Sequence, residues 1–271
     1  MRTGRVLGVI PARLGSERLP RKPLYPLAGR PLIEWVWRRV LSFDLFDTLL
    51  VATDSEQVAD VVRSCGGRAE LTSAHHASGT DRVAEIAARA EFADCAVITS
   101  VQGDEPFLDQ EQVSAAVKLV QQGWPVGTVA TPVCTLEAWR NPAIVKVVRR
   151  DDGAALYFSR APIPFLRDRE PTPDELRGNG FLRHLGVYAY APDALRRWVS
   201  LPEHLLEQQE RLEQLRPLAA GIGIGVAVVA SSPEGVDTPA DAERAERLLR
   251  EMAGERGAAA PPEMIHHLNR E

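Results

Sequence analysis

Four cationic side chains surround a single glycine-serine turn near the start of the sequence. The turn is Gly15-Ser16, and the cations are Arg13, Arg18, Arg21 and Lys22. Guanidinium groups bind phosphate oxygens in pairs, and a lysine adds a mobile point charge. Because like charges repel one another, four of them within ten residues indicate an anion that gathers them. The alternative is a solvated loop whose arginines pair with acidic neighbours, but the pattern favours a polyphosphate site.

Two acidic segments further along the sequence offer carboxylates for a metal ion. Asp104 follows Gln102-Gly103, and Asp237 lies in the segment GVDTP. Either aspartate alone is equally typical of a turn or a helix cap. Mg²⁺, however, is commonly bound by one or two carboxylates together with substrate phosphates. With the cationic loop, the two aspartates therefore predict a Mg²⁺ site, and the predicted chemistry is nucleotidyl transfer.

Other polar residues stand in patterns that suit a second substrate. The turn at residues 78–80 offers backbone N–H groups to the edge of a base, or it only caps a helix. Polar groups also stand among apolar neighbours at Arg160, His184, Glu213 and Gln214. A carboxylated sugar would need such an arginine and histidine. The alternative, that these residues are satisfied at the surface or in the core, stays open.

Composition and charge narrow the class of protein. The 271 residues are 45% hydrophobic and 25% charged, which fits one large α/β domain or a domain with a small lobe. The net charge of −5 argues against a nucleic-acid partner. Residues 1–39 nevertheless carry nine Lys or Arg and two Glu. A compact anion fits this asymmetry better than a polymer does.

The sequence also predicts the compartment. We find no apolar run near the ~18 residues that a membrane span requires, and no signal-peptide core follows the amino-terminal residues. The three cysteines, Cys65, Cys95 and Cys134, suggest neither a disulfide framework nor a metal knuckle. We therefore expect a cytoplasmic protein without a membrane partner.

Hydrophobic patterns in the first half predict a parallel sheet. Residues 5–10, 48–53 and 96–101 are typical of strands buried on both faces, and amphipathic helical segments separate them. This β-α-β-α-β order predicts a right-handed, doubly wound sheet that binds ligands past the carboxyl ends of its strands. The cationic loop, Asp54 and Asp104 each follow one of these strands.

The second half predicts a mixed sheet with a smaller lobe. Strands are expected at 126–132, 144–149, 184–190 and 225–230, and helices at 205–218 and 239–252. Thr238 or Asp237 would cap the last helix. The polar segment 167–180 is expected to be a mobile surface loop, and whether it acts as a lid stays open. Neither the dinucleotide fingerprint nor the Walker motif is present, which argues against a dehydrogenase.

Motifs along nearly the whole chain resemble the 3-deoxy-manno-octulosonate (Kdo) cytidylyltransferases. In order, the matching segments are IPARLGSERLPRKPL, VATD, HASGTDR, VQGDEP, NPAIVKVV, ALYFSRAPIPF, FLRHLGVYAY, LEQLR and GVDTP. The resemblance implies a Rossmann-like, mostly parallel α/β sheet of the nucleotide-diphospho-sugar transferase type over residues 1–252. Residues 124–216 would include a lobe for sugar binding and dimerisation, and 253–271 would be a flexible extension.

The resemblance also implies an activity and a site. The enzyme would condense CTP with Kdo as a Mg²⁺-dependent homodimer, releasing pyrophosphate and supplying lipopolysaccharide assembly. The implied CTP phosphate ligands are Arg13, Ser16, Arg18 and Lys22, and the residues near the cytidine are Ala12, Ser78, Gly79 and Gln102. Asp104 and Asp237 would hold Mg²⁺, and Asp104, Lys22 and Arg13 would be catalytic. The implied Kdo ligands are Arg160, His184, Tyr188, Glu213 and Gln214, with Arg160 on the sugar carboxylate.

Two departures from the family pattern lie beside the expected base site. His75 stands where the family often has aspartate, and Ala77 replaces a frequent glutamine. One alternative is a cytidylyltransferase for another 2-keto acid sugar, such as 8-amino-Kdo or a sialic acid. The other is a nucleotide-binding regulator without catalytic activity, for which loss of Asp104 or Asp237 would be expected, and both are present.

Overall fold

A computed structural model describes residues 4–16, 18–230 and 235–256 of the chain. The strands are β1 (Arg5–Ala12), β2 (Pro26–Leu27), β3 (Arg30–Pro31), β4 (Thr48–Thr53), β5 (Ala69–Leu71), β6 (Cys95–Ser100), β7 (Val126–Pro132), β8 (Lys146–Arg149), β9 (Ala155–Ser159), β10 (Leu182–Tyr190) and β11 (Ile224–Val228). The helices are α1 (Leu32–Leu41), α2 (Glu56–Ser64), α3 (Gly79–Ala87), α4 (Gln110–Gln121), α5 (Leu136–Arg140), α6 (Pro173–Arg177), α7 (Pro192–Ser200), α8 (Leu205–Glu210), α9 (Leu215–Ala219) and α10 (Pro239–Arg256).

One mixed sheet organises the described residues. Its main path runs in the order β11-β7-β10-β6-β1-β4-β5, and the β8–β9 hairpin joins it through β10. Along this path β10 alone pairs antiparallel with its neighbours, whereas the pairs of β1 with β4 and β6, of β4 with β5, and of β7 with β11 are parallel. The predicted mostly parallel α/β sheet is confirmed.

Helices cover both faces of the sheet, which explains the continuous apolar runs of the central strands. Helices α1, α2, α4 and α10 contribute to one buried cluster, and α3, α7 and α9 to the other. Gly127 of β7 allows α4 to approach closely, because a Cβ there would lie 2.3 Å from the Ala116 carbonyl oxygen. The main sheet is therefore the rigid frame from which the loops project.

Residues 124–216 both complete this sheet and extend beyond it. They provide β7 and β10, and they add the β8–β9 hairpin and a separate small cluster that includes Trp139, Leu176 and Phe181. Segment 167–180 contains helix α6, where Thr172 and Glu175 form a capping box and Leu176 is buried. The division into a core and a sugar-binding lobe stays a prediction.

Several predicted boundaries match the structure, and one predicted helix is wrong. The strands expected at 48–53 and 126–132 are confirmed with these limits. The single helix expected at 205–218 is instead two short helices, because Arg211 adopts a left-handed conformation with φ of 52° and ends α8. Strand β9 was not predicted as an element, and the tail at 257–271 lies outside the described residues.

Candidate active site

The amino group of Lys22 lies between the two aspartates that the sequence singled out. Its Nζ donates to an Asp104 carboxylate oxygen and, at 2.7 Å, to Oδ1 of Asp237. Arg18 also contacts Asp237 Oδ1, at 3.0 Å. Burial by itself would lower the pKa of Lys22, but the charges and hydrogen bonds of Asp104 and Asp237 outweigh it and raise this pKa. The structure thus brings the cationic loop and both predicted metal ligands to one point.

Backbone contacts hold the second aspartate beside the first. The Val236 N–H donates to the carbonyl oxygen of Asp104 at 2.9 Å. Thr238, not Asp237, accepts from the N–H of Asp241 at the start of α10. The sequence had left the choice of cap open, and the structure resolves it. Because the cap uses the threonine hydroxyl, the Asp237 carboxylate is available to face Lys22.

The pKa of Glu105, the residue after Asp104, is strongly perturbed. Burial, together with the nearby negative charge of Asp104, raises the pKa of Glu105 to about 8, and the positive charge of Arg183 opposes this shift. The Glu105 carboxylate also leaves little room beside it: a Cβ at Gly235 would lie 2.7 Å from Glu105 Oε1. Glu105 lies in the acidic segment VQGDEP, but no pattern in the sequence indicated a role for it.

A buried ion pair joins the cationic loop to helix α3. Asp54, directly after β4, accepts from the Leu14 N–H at 3.3 Å and from Arg82 Nη2 at 3.0 Å. Arg82 is only 3% exposed, and it also donates to the hydroxyl of Thr72. The sequence flagged Asp54 as a polar residue at a strand end, and the structure adds its partners.

The residues expected near the cytidine gather around the end of β1. Ala12 is buried there. A Cβ at Gly79 or at Gly103 would lie 3.5 Å from Pro11 Cγ or 3.0 Å from Pro11 O, respectively. The contact at Gly103 would be tight, so the close approach to Pro11 depends on a glycine there, whereas 3.5 Å at Gly79 is an ordinary contact distance.

Other residues of the expected nucleotide set have protein partners. Ser78 caps α3 in a capping box with Asp81, and Gln102 Nε2 donates to the Gly186 carbonyl oxygen at 3.1 Å. In the cationic loop, Arg13 is exposed and Ser16 is half-buried, while Arg21 turns away to donate to Gln57 Oε1 at 2.7 Å. Of the loop residues, Arg18 and Lys22 therefore meet at Asp237, whereas Arg21 does not join them.

His184 and Tyr188 lie side by side on β10, with ring centroids 5.3 Å apart. The His184 ring also meets Phe158 edge to face, at 5.1 Å, and its Nε2 lies 2.8 Å from Thr128 Oγ1. Burial lowers the pKa of His184 to about 3, so this histidine is neutral at physiological pH. The site therefore contains an uncharged imidazole.

Three buried polar atoms near α3 have no partner among the described residues. They are the hydroxyl oxygens of Tyr188 and Tyr190 and Glu213 Oε2. Glu213 Oε1, in contrast, accepts from the Thr80 hydroxyl at 2.8 Å. Burial raises the pKa of Glu213. Because an unpaired buried polar atom costs about 1–3 kcal/mol, this cluster is typical of a ligand site.

Gln214 and Arg160 lie at the far side of this region. Gln214 is buried directly before α9. The Arg160 guanidinium donates to the carbonyl oxygens of Glu210 at 2.7 Å, Pro142 at 3.0 Å and Arg211 at 3.4 Å. These bonds use three of its five N–H donors, so two remain for a carboxylate. The sequence could not indicate that backbone carbonyl oxygens would accept hydrogen bonds from this arginine.

Sequence reasoning missed several polar residues that hold the site together. Thr128 lies in a strand buried along nearly its whole length, and Thr80 was considered only as a helix cap or as part of the 78–80 turn that offers backbone N–H groups. Tyr190 looked like one more apolar position of β10. No spacing in the sequence distinguishes these residues, because Thr80 and Thr128 meet partners from distant elements and the Tyr190 hydroxyl has none among the described residues.

A mostly parallel sheet with a cationic loop and two aspartates beyond its strand ends defines the chain as a nucleotidyltransferase. Residues 7–224 match the family model described as Cytidylyltransferase. The chain belongs to the 3-deoxy-manno-octulosonate cytidylyltransferase family. Proteins of that name from Gemmatimonas aurantiaca and Syntrophobacter fumaroxidans are 50% and 43% identical, over 89% and 92% of this chain and 92% and 98% of theirs.

Solved structures agree with this assignment. A structure of CMP:2-keto-3-deoxy-manno-octonic acid synthetase complexed with CTP has a TM-score of 0.83 and 38% identity, covering 92% of this chain and 99% of that one. A 4-diphosphocytidyl-2C-methyl-D-erythritol synthase from Anaerococcus prevotii has a TM-score of 0.59 at 14% identity, over 91% and 99%. The latter supports the fold alone. The resemblance noted in the sequence is confirmed.

We expect Asp54→Asn to lower the free energy of unfolding by about 3 kcal/mol, because it breaks a buried ion pair. Whichever way the new amide turns, its NH₂ group would face a donor, either the Leu14 N–H or Arg82. Urea denaturation measures the change. The control is Asp60→Asn, which breaks an exposed pair with Arg63 and should change stability by less than about 0.5 kcal/mol. Equal effects of the two substitutions would contradict the structural role of Asp54.

Proposed function

We propose that this chain transfers CMP from CTP to the anomeric hydroxyl of Kdo. The products are CMP-Kdo and pyrophosphate, and CMP-Kdo is the form that lipopolysaccharide biosynthesis would consume. The observation that carries the proposal is the Lys22 amino group held between Asp104 and Asp237 beside the cationic loop. Membership of the cytidylyltransferase family supplies the base and the sugar.

The reaction forms one P–O bond and breaks another. The anomeric 2-hydroxyl attacks the α-phosphorus in line and loses its proton to solvent, and the bonding electrons of the broken P–O bond leave with pyrophosphate. Negative charge therefore builds on the pyrophosphate oxygens. Arg18 and Lys22, with Arg13 on the same loop, would stabilise this charge, and Ser16 would add a hydrogen bond. Catalysis is then mostly positioning and electrostatic stabilisation.

The same aspartates fit a bound Mg²⁺. Asp104 and Asp237 already share one cation, and two carboxylates with substrate phosphates are a common Mg²⁺ donor set. In the part of the chain that the structure describes, no group of three or more His, Cys, Asp or Glu gathers as a metal site. A metal here would therefore depend on the nucleotide for its remaining ligands. When bound, it would neutralise charge on the phosphates.

The acidic sugar would lie on the β10 side of the site. Neutral His184, Tyr188 and Glu213 provide hydrogen-bond partners there, and Arg160 keeps two N–H donors for a carboxylate. Gln214 is the remaining residue of the expected sugar site. Another 2-keto acid sugar, such as 8-amino-Kdo or a sialic acid, would use the same groups, so the experiment must compare sugars.

We expect pyrophosphate release with CTP and Kdo to exceed that with any other pairing of a ribonucleoside triphosphate and an acidic sugar. The assay compares ATP, GTP, CTP and UTP, each with Kdo, 8-amino-Kdo and N-acetylneuraminate. Faster turnover with another sugar would mean that this sugar, and not Kdo, is the substrate. CTP binding by calorimetry without turnover on any sugar would indicate the nucleotide-binding regulator instead.

We expect Asp104→Asn to reduce pyrophosphate release by about 10²- to 10³-fold at saturating Mg²⁺, because it removes a preorganised carboxylate that would hold the metal against the phosphates. The fold should persist, since the Asp104 backbone oxygen still accepts from Val236. The control, Asp60→Asn, should retain full turnover. If Asp104→Asn turns over as fast as the unmodified protein, the assignment of Asp104 as a metal ligand is wrong.

We also propose that the chain forms a homodimer through the surface around β9. Leu156, Phe165 and Leu205 are 55%, 77% and 62% exposed, and all three belong to the region 124–216. Within the described residues, β9 pairs along its length with β8 alone, and Ala154, directly before it, bridges Gly225 of β11. Several large apolar side chains exposed in one region are typical of a surface that a second copy covers.

Sedimentation velocity tests the dimer. The unmodified protein should sediment with twice the mass of one chain, and Phe165→Asp should shift it towards monomer, because a carboxylate would be buried without a partner. Leu71→Asp is the matched control, since Leu71 is 42% exposed but lies outside this region. A monomeric unmodified protein, or equal effects of both substitutions, would contradict the proposed surface.

The cytoplasm remains our proposed compartment. The cysteines Cys65, Cys95 and Cys134 are unpaired in the structure, as expected of a reducing environment. No helix among the described residues is both long enough and apolar enough for a membrane span.

A further inference from the structure

We propose that Thr128 is a positioning residue that fixes His184 as the tautomer with its proton on Nε2, so that Nδ1 accepts a hydrogen bond from a sugar hydroxyl. The inference rests on the proposed function, because it assigns His184 to the acidic sugar. It concerns a residue of β7 that would not itself touch the substrate.

The Thr128 hydroxyl lies among three polar atoms of β10. It is 2.7 Å from the Val187 carbonyl oxygen, 2.8 Å from His184 Nε2 and 3.5 Å from the Leu185 carbonyl oxygen. Thr128 itself is completely buried. Water therefore cannot replace any of these contacts, and the hydroxyl must satisfy them with its own proton and lone pairs.

The position of the single hydroxyl proton decides the histidine tautomer. A threonine hydroxyl has one proton to donate, and a carbonyl oxygen can only accept. If the proton pointed at His184, the Val187 oxygen and Thr128 Oγ1 would be two acceptors 2.7 Å apart with no proton between them. The proton therefore lies towards Val187. Thr128 Oγ1 then accepts from His184, which requires an N–H at Nε2.

The other ring nitrogen is consequently a hydrogen-bond acceptor. Burial holds the His184 pKa near 3, so the ring carries one proton, and that proton is on Nε2. Nδ1 takes no hydrogen bond from the residues that the structure describes. An unprotonated ring nitrogen at this place would accept from a sugar hydroxyl, and it would repel a second acceptor, such as a carboxylate or an ether oxygen.

Thr128 also stabilises a β-bulge in β10, and this bulge sets the direction of the His184 side chain. The pairing register of β10 with β7 shifts between Leu185 and Tyr188, and Thr128 pairs with Tyr188 in this register. From the other side, Gln102 donates to the Gly186 carbonyl oxygen. Such bulges re-aim side chains beside active sites. The threonine hydroxyl therefore fixes both the orientation and the protonation pattern of His184.

Nitrogen-15 NMR of histidine-labelled protein reads the tautomer directly, and His184→Gln assigns the signals. In the unmodified protein we expect a protonated Nε2 and an unprotonated Nδ1. Thr128→Val keeps the side-chain shape but removes the hydroxyl, so the two tautomers should mix. Thr128→Ser keeps the hydroxyl and should preserve the tautomer of the unmodified protein.

Kinetics provide a second readout. Thr128→Val should raise KM for Kdo about tenfold, the effect of losing one oriented hydrogen bond. Its KM for CTP should change less than twofold, and Thr128→Ser should resemble the unmodified protein in both. A purely structural loss would instead lower the active fraction and kcat without this split.

Three results would overturn the inference. One is a proton on Nδ1 in the unmodified protein, which needs no substitution to observe and decides the matter even if Thr128→Val fails to fold. The second is an unchanged tautomer in Thr128→Val, and the third is an equal rise of both KM values. A failure of the proposed function looks different, because the NMR signature would persist while no acidic sugar supports pyrophosphate release.

Discussion

The site depends on one ammonium group shared by two carboxylates. Asp104 and Asp237 are 82 and 215 residues from Lys22 along the chain, yet both contact its Nζ. Two carboxylates that contact the same amino group would repel each other if no cation lay between them. The fold therefore has to place a cation there, and a triphosphate with its metal would meet a position already built for positive charge.

Polar links connect the residues that the proposed function assigns to the nucleotide with those that it assigns to the sugar. Thr80 of α3 donates to Glu213, and Gln102 beyond β6 donates to the bulge of β10 at Gly186. Each link joins an element of the parallel half to an element of the region 124–216. Unpaired buried atoms at Tyr188, Tyr190 and Glu213 remain between them. The protein tolerates this cost where a polyhydroxylated ligand would supply the missing partners.

Sequence patterns were most reliable where a strand is buried on both faces. The expected strands at 48–53 and 126–132 have these bounds in the structure, because each segment is short and rich in valine and threonine, which favour strands. The pattern failed at 205–218. The periodicity there continues across Arg211, but the residue turns left-handed and two helices result. Periodicity records which side chains are buried, and it does not report a local reversal of φ.

The sequence by itself determined the α/β class, the cationic loop and the two aspartates, because charge clustering and strand periodicity are properties of neighbouring residues. Tertiary structure decided which residue caps α10, how many donors Arg160 keeps and which proton His184 carries. These outcomes depend on hydrogen bonds between segments far apart in the chain. A hydroxyl donates its proton to the acceptor that packing places nearest to it, and that distance cannot be inferred from the spacing of residues in the sequence.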